Sequence, residues 1–303
     1  MNSFIRVRDG IRRFVLAREV LMLRIWNFIV AFVGMMVINS NFGYLKNLNH
    51  WYVNVAVAAI SAFLPMNGAA ALLALVLIAD LTSLSLQVAL IALGFWVVSI
   101  IVCAYFRSKN TYNTVVVPLT YSLNCPYVIA MGAGLLRDFK ELTSVICGSV
   151  FAYYLHIIKI NSSTILDETA DISVISLLVV QMVQNKMFYI FVIAMVAMFI
   201  TVYTLRQQSI RMSWLVADVA GVVVEFIIML VGLIITSQRG EIGSLILANL
   251  VVFLVGVFMN YFILDLDYSR IEKVQFEDDD YYYYVAAIPK IRMVDEDKEI
   301  KTF

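Results

Sequence analysis

The chain has 303 residues, of which 62% are hydrophobic and 15% charged, and its 22 basic and 22 acidic side chains balance to zero net charge. Soluble domains carry about a quarter charged residues, so a soluble globule is excluded. The apolar residues form continuous runs such as Gln87 to Phe106, close to the ~20 residues a helix needs to cross hydrocarbon. A transmembrane barrel would instead show ~10-residue segments of alternating polarity. The expected fold class is all-α, a polytopic transmembrane helical bundle.

Residues 1–24 contain Arg6, Arg8, Arg12, Arg13, Arg18 and Arg24 against Asp9 and Glu19, interleaved with Phe4, Ile11, Phe14 and Val15. That mixture predicts a basic amphipathic helix lying on an anionic membrane surface. It runs into a full-length span without an A-x-A-like site, so the first span reads as the insertion signal. Residues 25–264 are expected to form the bundle, with eight spans near 25–41, 52–66, 68–84, 86–106, 142–160, 187–206, 212–236 and 243–264. Cys103, Cys125 and Cys147 all fall inside apolar runs and read as packing residues rather than a disulfide framework.

Between the fourth and fifth spans, Val115 to Leu136 is apolar but carries Pro118, Asn124, Pro126, Gly132 and Gly134. Its two prolines remove two donors and crowd the preceding turns, so a break is predicted near Asn124 to Pro126. Lysine and arginine in short loops set orientation. With the arginine-rich start inside, four crossings bring Arg107 and Lys109 inside as well. If the broken segment enters and leaves on one face, Arg137, Lys140, Arg206, Arg211 and the tail stay cytoplasmic too; a complete crossing puts them outside. The re-entrant reading satisfies every cluster and predicts two cytoplasmic termini, with the acidic loop 161–173 outside. The alternative is an ordinary proline-kinked span.

Ionisable side chains inside spans are costly and mark candidate sites. Ser213, Ala217, Gly221 and Glu225 repeat every four residues, with Asp218 on the same broad face. Ser144, Gly148, Ala152 and His156 repeat the pattern on another span, and Asn249, Gly256 and Asn260 share a stripe on the last. Small residues let helices approach closely. Pro118, Asn124, Pro126, His156, Asp218, Glu225 and Asn249 are therefore the candidate substrate-binding residues, with a cross-interface hydrogen-bonding role as the competing reading. Asp80, near a span end, reads as structural. If the two ladders packed together, His156 and Glu225 would meet at one depth.

Residues 265–303 hold eleven acidic and six basic residues around Tyr281, Tyr282, Tyr283 and Tyr284, an acidic tail that cannot span a membrane. Lys273 to Phe276 and Tyr281 to Ile288 flank an acidic turn and suggest a small hairpin; a solubilising, unstructured tail is the other reading.

The stretches FRSKNTYNTVVVPLTYSLNCPYV (106–128) and DYSRIEKVQFEDDDYYYYVAAIPK (267–290) resemble segments of an uncharacterised family of polytopic membrane proteins from clostridial Gram-positive bacteria. The resemblance implies a bacterial cytoplasmic membrane and carries no activity, substrate or site residues with it. Short spans with a proline-broken segment also look like small bacterial permeases or vitamin-transporter substrate-binding subunits, though no defining motif of those is present.

No H-E-x-x-H, G-x-S-x-G, P-loop or paired metal-ligand cysteines occur, so an enzyme, a cofactor or a nucleic-acid partner is not expected. The first expectation is a transport-related subunit in the lipid bilayer, dependent on a separate ATPase chain or an ion gradient. The second is a non-transporting scaffold for envelope, division or sporulation machinery acting through the tyrosine-rich tail.

Overall fold

A computed structural model describes residues 2–166, 174–208, 210, 212–263, 272–277 and 282–287. Helix α1 (Asn2–Ala17) leads into α2 (Glu19–Asn41), α3 (Trp51–Ser61), α4 (Met66–Thr82) and α5 (Leu86–Tyr105). Two short helices follow, α6 (Asn113–Ser122) and α7 (Tyr127–Leu136), then α8 (Leu142–Ile160), the single turn α9 (Ser162–Leu166), α10 (Val174–Gln184), α11 (Lys186–Arg206), α12 (Ser213–Ile235) and α13 (Ile242–Ile263). Strands β1 (Glu272–Glu277) and β2 (Tyr282–Ala287) pair antiparallel, with Val274 opposite Val285. The hairpin expected in the tail is thus formed, while Tyr281 and the rest of its turn lie outside the described residues.

The protein is an all-α bundle in which, among the described residues, six helices, α2, α5, α8, α11, α12 and α13, are long and apolar enough to cross a membrane. The sequence suggested eight such spans. Its second and third candidates are α3, with 11 residues, and α4, with 17. Pro65, extended at φ −62° and ψ 157°, ends the turn after α3 and caps α4, which fixes α3 well short of the ~30 Å of a bilayer core. The N-terminal segment also divides differently: the break falls at Arg18, and Arg24 belongs to the long helix α2.

Contacts order the bundle from end to end, the end where α8 begins being its base and the opposite end its mouth. At the mouth, Lys159 near the end of α8 donates to Asn41 at the end of α2 (2.6 Å). Helix α3 descends along α2, through Asn39 to Asn54 (2.8 Å) and Asn27 to the Leu64 carbonyl (2.8 Å). Helix α4 starts at the base, where Asn67 bonds Lys109 O (2.9 Å) and Tyr112 N (3.1 Å). It finishes at the mouth, where Asp80 accepts from Leu45 N (2.7 Å) beside Gly43 at φ +57°. Asp80 therefore clamps the loop between α2 and α3, the structural role expected of it. Helix α5 returns past Tyr154, whose hydroxyl donates to Val88 O (3.0 Å).

The broken segment is a hairpin with both ends at the base. Helix α6 runs parallel to α8: Asn113 donates to Ser144 (2.9 Å), and Tyr121 meets His156 with ring centroids 5.3 Å apart. Helix α7 returns along α11, from Tyr127 against Phe191 (6.0 Å) to Arg206, which donates to the carbonyls of Leu135 and Arg137. The turn between them is legible in residue chemistry. Cys125 N donates to Thr120 O (3.0 Å) and Asn124 N to Tyr121 O (2.9 Å) around Asn124 at φ 59°, a Schellman cap. Asparagine tolerates this left-handed conformation, and Pro126 then fixes a helix-ready φ of −65° at the head of α7.

The base of the hairpin is held by Glu141, only 3% exposed, which accepts from Ser108 Oγ (2.7 Å), Lys109 N (2.8 Å) and Asn110 N (3.2 Å). Arg107 at φ 57° turns those three donors toward it. Close α6–α8 packing rests on Gly148, where a Cβ would come within 2.6 Å of Asn113 O and 2.9 Å of Val117 Cβ. Glu141→Ala is expected to lower stability by about 1–3 kcal/mol, because it strands buried donors, with Glu141→Gln losing less. Thermal unfolding of the purified protein in detergent measures both; equal midpoints for wild type and Glu141→Ala would contradict this role.

Candidate functional site

The hairpin tip faces a cavity of about 880 Å³ near the mouth. Asn124 and Pro126 line it from the tip, His156 and Lys159 from α8, Phe191 from α11, and Ser244 from the start of α13. An aromatic cluster forms one wall: Tyr121 packs edge-on against His156 (5.3 Å) and Phe191 (5.0 Å), and Tyr153 lies 5.6 Å from His156. Met229 and Leu233 of α12 line it as well. The wall offers ring faces and edges, imidazole and amide groups, and a lysine, so it suits a small solute with both apolar and polar parts.

Three of the sequence-derived candidates, Asn124, Pro126 and His156, line this cavity. Pro118, Asp218, Glu225 and Asn249 do not. Pro118 is buried within α6, where Ser122 Oγ donates to its carbonyl (3.2 Å). The other three form a polar line running from beneath the cavity toward the base. Glu225 is wholly buried, and Tyr127 from α7 and Asn249 from α13 lie beside its carboxyl without completing a hydrogen bond to either oxygen. Met229, one turn farther along α12, and Ala248, adjacent to Asn249, are cavity-lining residues. Asp218, also fully buried, accepts a hydrogen bond from Asn260.

The asparagine and glycine stripe of α13 thus meets the two carboxyl groups of α12. Gly256 makes this possible: a Cβ there would lie 3.0 Å from Asp218 Oδ2 and 2.5 Å from Met131 Sδ. His156 and Glu225 are not joined by a hydrogen bond or ion pair. Their small-residue ladders pack on different neighbours, Gly148 against Val117 of α6, and Gly221 against Val202 and Gly232 against Ile190 of α11. Small residues announce a close approach without naming the partner.

Tyr127 and Tyr121 were missed from sequence, since tyrosines beside a proline break look like ordinary core aromatics. The one available signal was their position flanking Asn124 and Pro126, on the side chains most constrained by the turn.

Gly256→Ala is expected to destabilise the protein by about 1–3 kcal/mol, as overpacking does. Gly132→Ala, whose Cβ would touch Met259 Cε at an ordinary 3.4 Å, is expected to change little. Unfolding midpoints of the two variants in detergent check this; a Gly256→Ala protein as stable as Gly132→Ala would refute the close α12–α13 approach.

Comparison of the chain with protein-family models, with curated proteins and with solved structures gives no match to any of them.

Proposed function

We propose that this chain is a transport-related membrane subunit that binds a small solute in the cavity above the α6–α7 tip. The observation that carries the reading is the broken backbone itself. Non-helical chain at membrane depth survives where it is buried in protein or lines a water-filled cavity, and here Asn124 and Pro126 line one. Discontinuous helices meeting at mid-depth are the way many transporters build solute sites. Each arm has ten residues, or ~15 Å at 1.5 Å per residue, about half of a ~30 Å core.

In this reading the hairpin is re-entrant, entering and leaving the membrane at the base. Helices α3 and α4 also run between mouth and base and stand for the two further passes of the eight, the residues flanking α3 supplying the length that its 11-residue helix lacks. Arg107, Arg137 and Arg206 all gather at the base, as does the start of α2 that follows the arginine-rich helix. The positive-inside rule makes that end cytoplasmic, with both termini there and the mouth outside. The resemblance of residues 106–128 and 267–290 to clostridial membrane proteins supports a bacterial cytoplasmic membrane. No nucleotide-binding motif occurs in the chain, so energy comes from a partner ATPase or an ion gradient. The formed β1–β2 hairpin supports a second reading, a docking tail for envelope proteins, because two strands alone are marginal in water and gain by pairing with a partner edge.

The test uses Ser244→Cys in a background with Cys103, Cys125 and Cys147 replaced by alanine. In intact cells an impermeant methanethiosulfonate reagent is expected to modify it at least about tenfold faster than Leu250→Cys, because a hydrated thiol ionises and a lipid-facing one does not. Some members of a panel of small metabolites should slow the modification. Equal, slow labelling at both positions would overturn the water-filled cavity, and a cavity that no metabolite protects would favour the scaffold.

A further inference from the structure

Glu225 poses a chemical problem that the cavity alone does not explain. Its side chain is 0% exposed, and neither carboxyl oxygen has a hydrogen-bond donor. Asn249 beside it is 6% exposed; its amide nitrogen donates to Leu245 O (3.1 Å), and its carbonyl oxygen has no partner. A carboxylate and an amide carbonyl both accept; neither donates. Three buried acceptor oxygens therefore stand without a bonded donor, and protonating the carboxyl removes its charge and adds an O–H donor to the group.

The groups around Glu225 leave the proton with no competitor among the described residues. From α7 comes the phenol of Tyr127, from α13 the Asn249 amide, and from α11 the apolar Ile190, Met198 and Val202 against the glycines of α12. Asp218 lies seven residues toward the base on the same helix, ~10 Å away along the axis, with one oxygen bonded to Asn260 and the other without a partner. Among the described residues no lysine, arginine or histidine bonds either carboxyl group. Tyr127 lines the cavity and also lies beside the Glu225 carboxyl. It stands at the head of a half-helix whose N-terminus is positive and faces the tip.

We propose that Glu225 is a proton-exchange site, loaded from the cavity past Tyr127 and continued toward the base by Asp218, so that solute occupancy and proton occupancy are coupled. The coupling rests on the cavity reading given above; the proton site does not. It names the gradient that would drive transport, a proton gradient, and makes a second, ATP-hydrolysing chain unnecessary.

Infrared difference spectroscopy of the protein in lipid, recorded between acidic and alkaline buffer, tests this without a known solute. A carboxylic-acid C=O band should appear on acidification, vanish in Glu225→Gln, persist in Asp218→Asn with at most a change of its own, and shift down in D2O as the O–H exchanges. Replacing potassium by sodium chloride should leave it unchanged. A Glu225→Gln spectrum identical to wild type, a band that fails to shift in D2O, or one abolished by sodium at constant pH would overturn the proposal; the last result would mark a sodium site instead. Metabolite protection of Ser244→Cys together with a silent Glu225 would leave the cavity standing and remove only the proton.

Discussion

The structure depends on one constraint, that a chain interrupted inside a bundle must find partners for the backbone groups the interruption frees. At Leu123 to Pro126 the helix stops, and its last carbonyls and next amides have no helical partners. The Schellman bonds from Cys125 and Asn124 take up two carbonyls, and Pro126 has no amide to satisfy. The rest of the bundle is arranged to hold this turn in place. Glu141 gathers the donors of the α5–α6 loop onto the start of α8, and Arg206 crosses from α11 to cover the final carbonyls of α7. A hairpin pinned at its base and capped at its tip can expose its turn to a cavity without unravelling.

Gly148 and the aromatic cluster carry the same logic sideways. Glycine on α8 brings α6 to within backbone contact, and the resulting alignment sets Tyr121 against His156 and Phe191. The cavity wall is therefore a consequence of how α6 is seated. On the other side, Gly256 brings α13 against Asp218, and that approach carries Asn249 to Glu225. Two close approaches, each made by one glycine, position the two halves of the site.

Much of this was legible in the sequence. Continuous apolar runs identified the long helices because a bilayer-crossing helix must bury every backbone bond within itself, and the break was visible because Asn124 and Pro126 have few other uses inside an apolar run. Helices α3 and α4 were harder, since hydropathy continues smoothly across Pro65 while the helices themselves stop. Partner choice was not legible at all. Ser144, Gly148 and Ala152 look the same as Ser213, Ala217 and Gly221, yet one ladder receives α6 and the other α11, a fact held in the tertiary arrangement alone. Glu141 was hidden for a similar reason: in Arg137-Asp138-Phe139-Lys140-Glu141 it reads as one more loop charge, and only its burial distinguishes it.

The central claim, that the α6–α7 turn meets water inside the bundle, is tested most directly by hydrogen–deuterium exchange of the protein in lipid nanodiscs. The account predicts that a peptide spanning 121–128 exchanges far faster than one from the packed middle of α8, 145–155, although both lie between helices assigned to the membrane interior. Equal and strong protection of the two segments would contradict it.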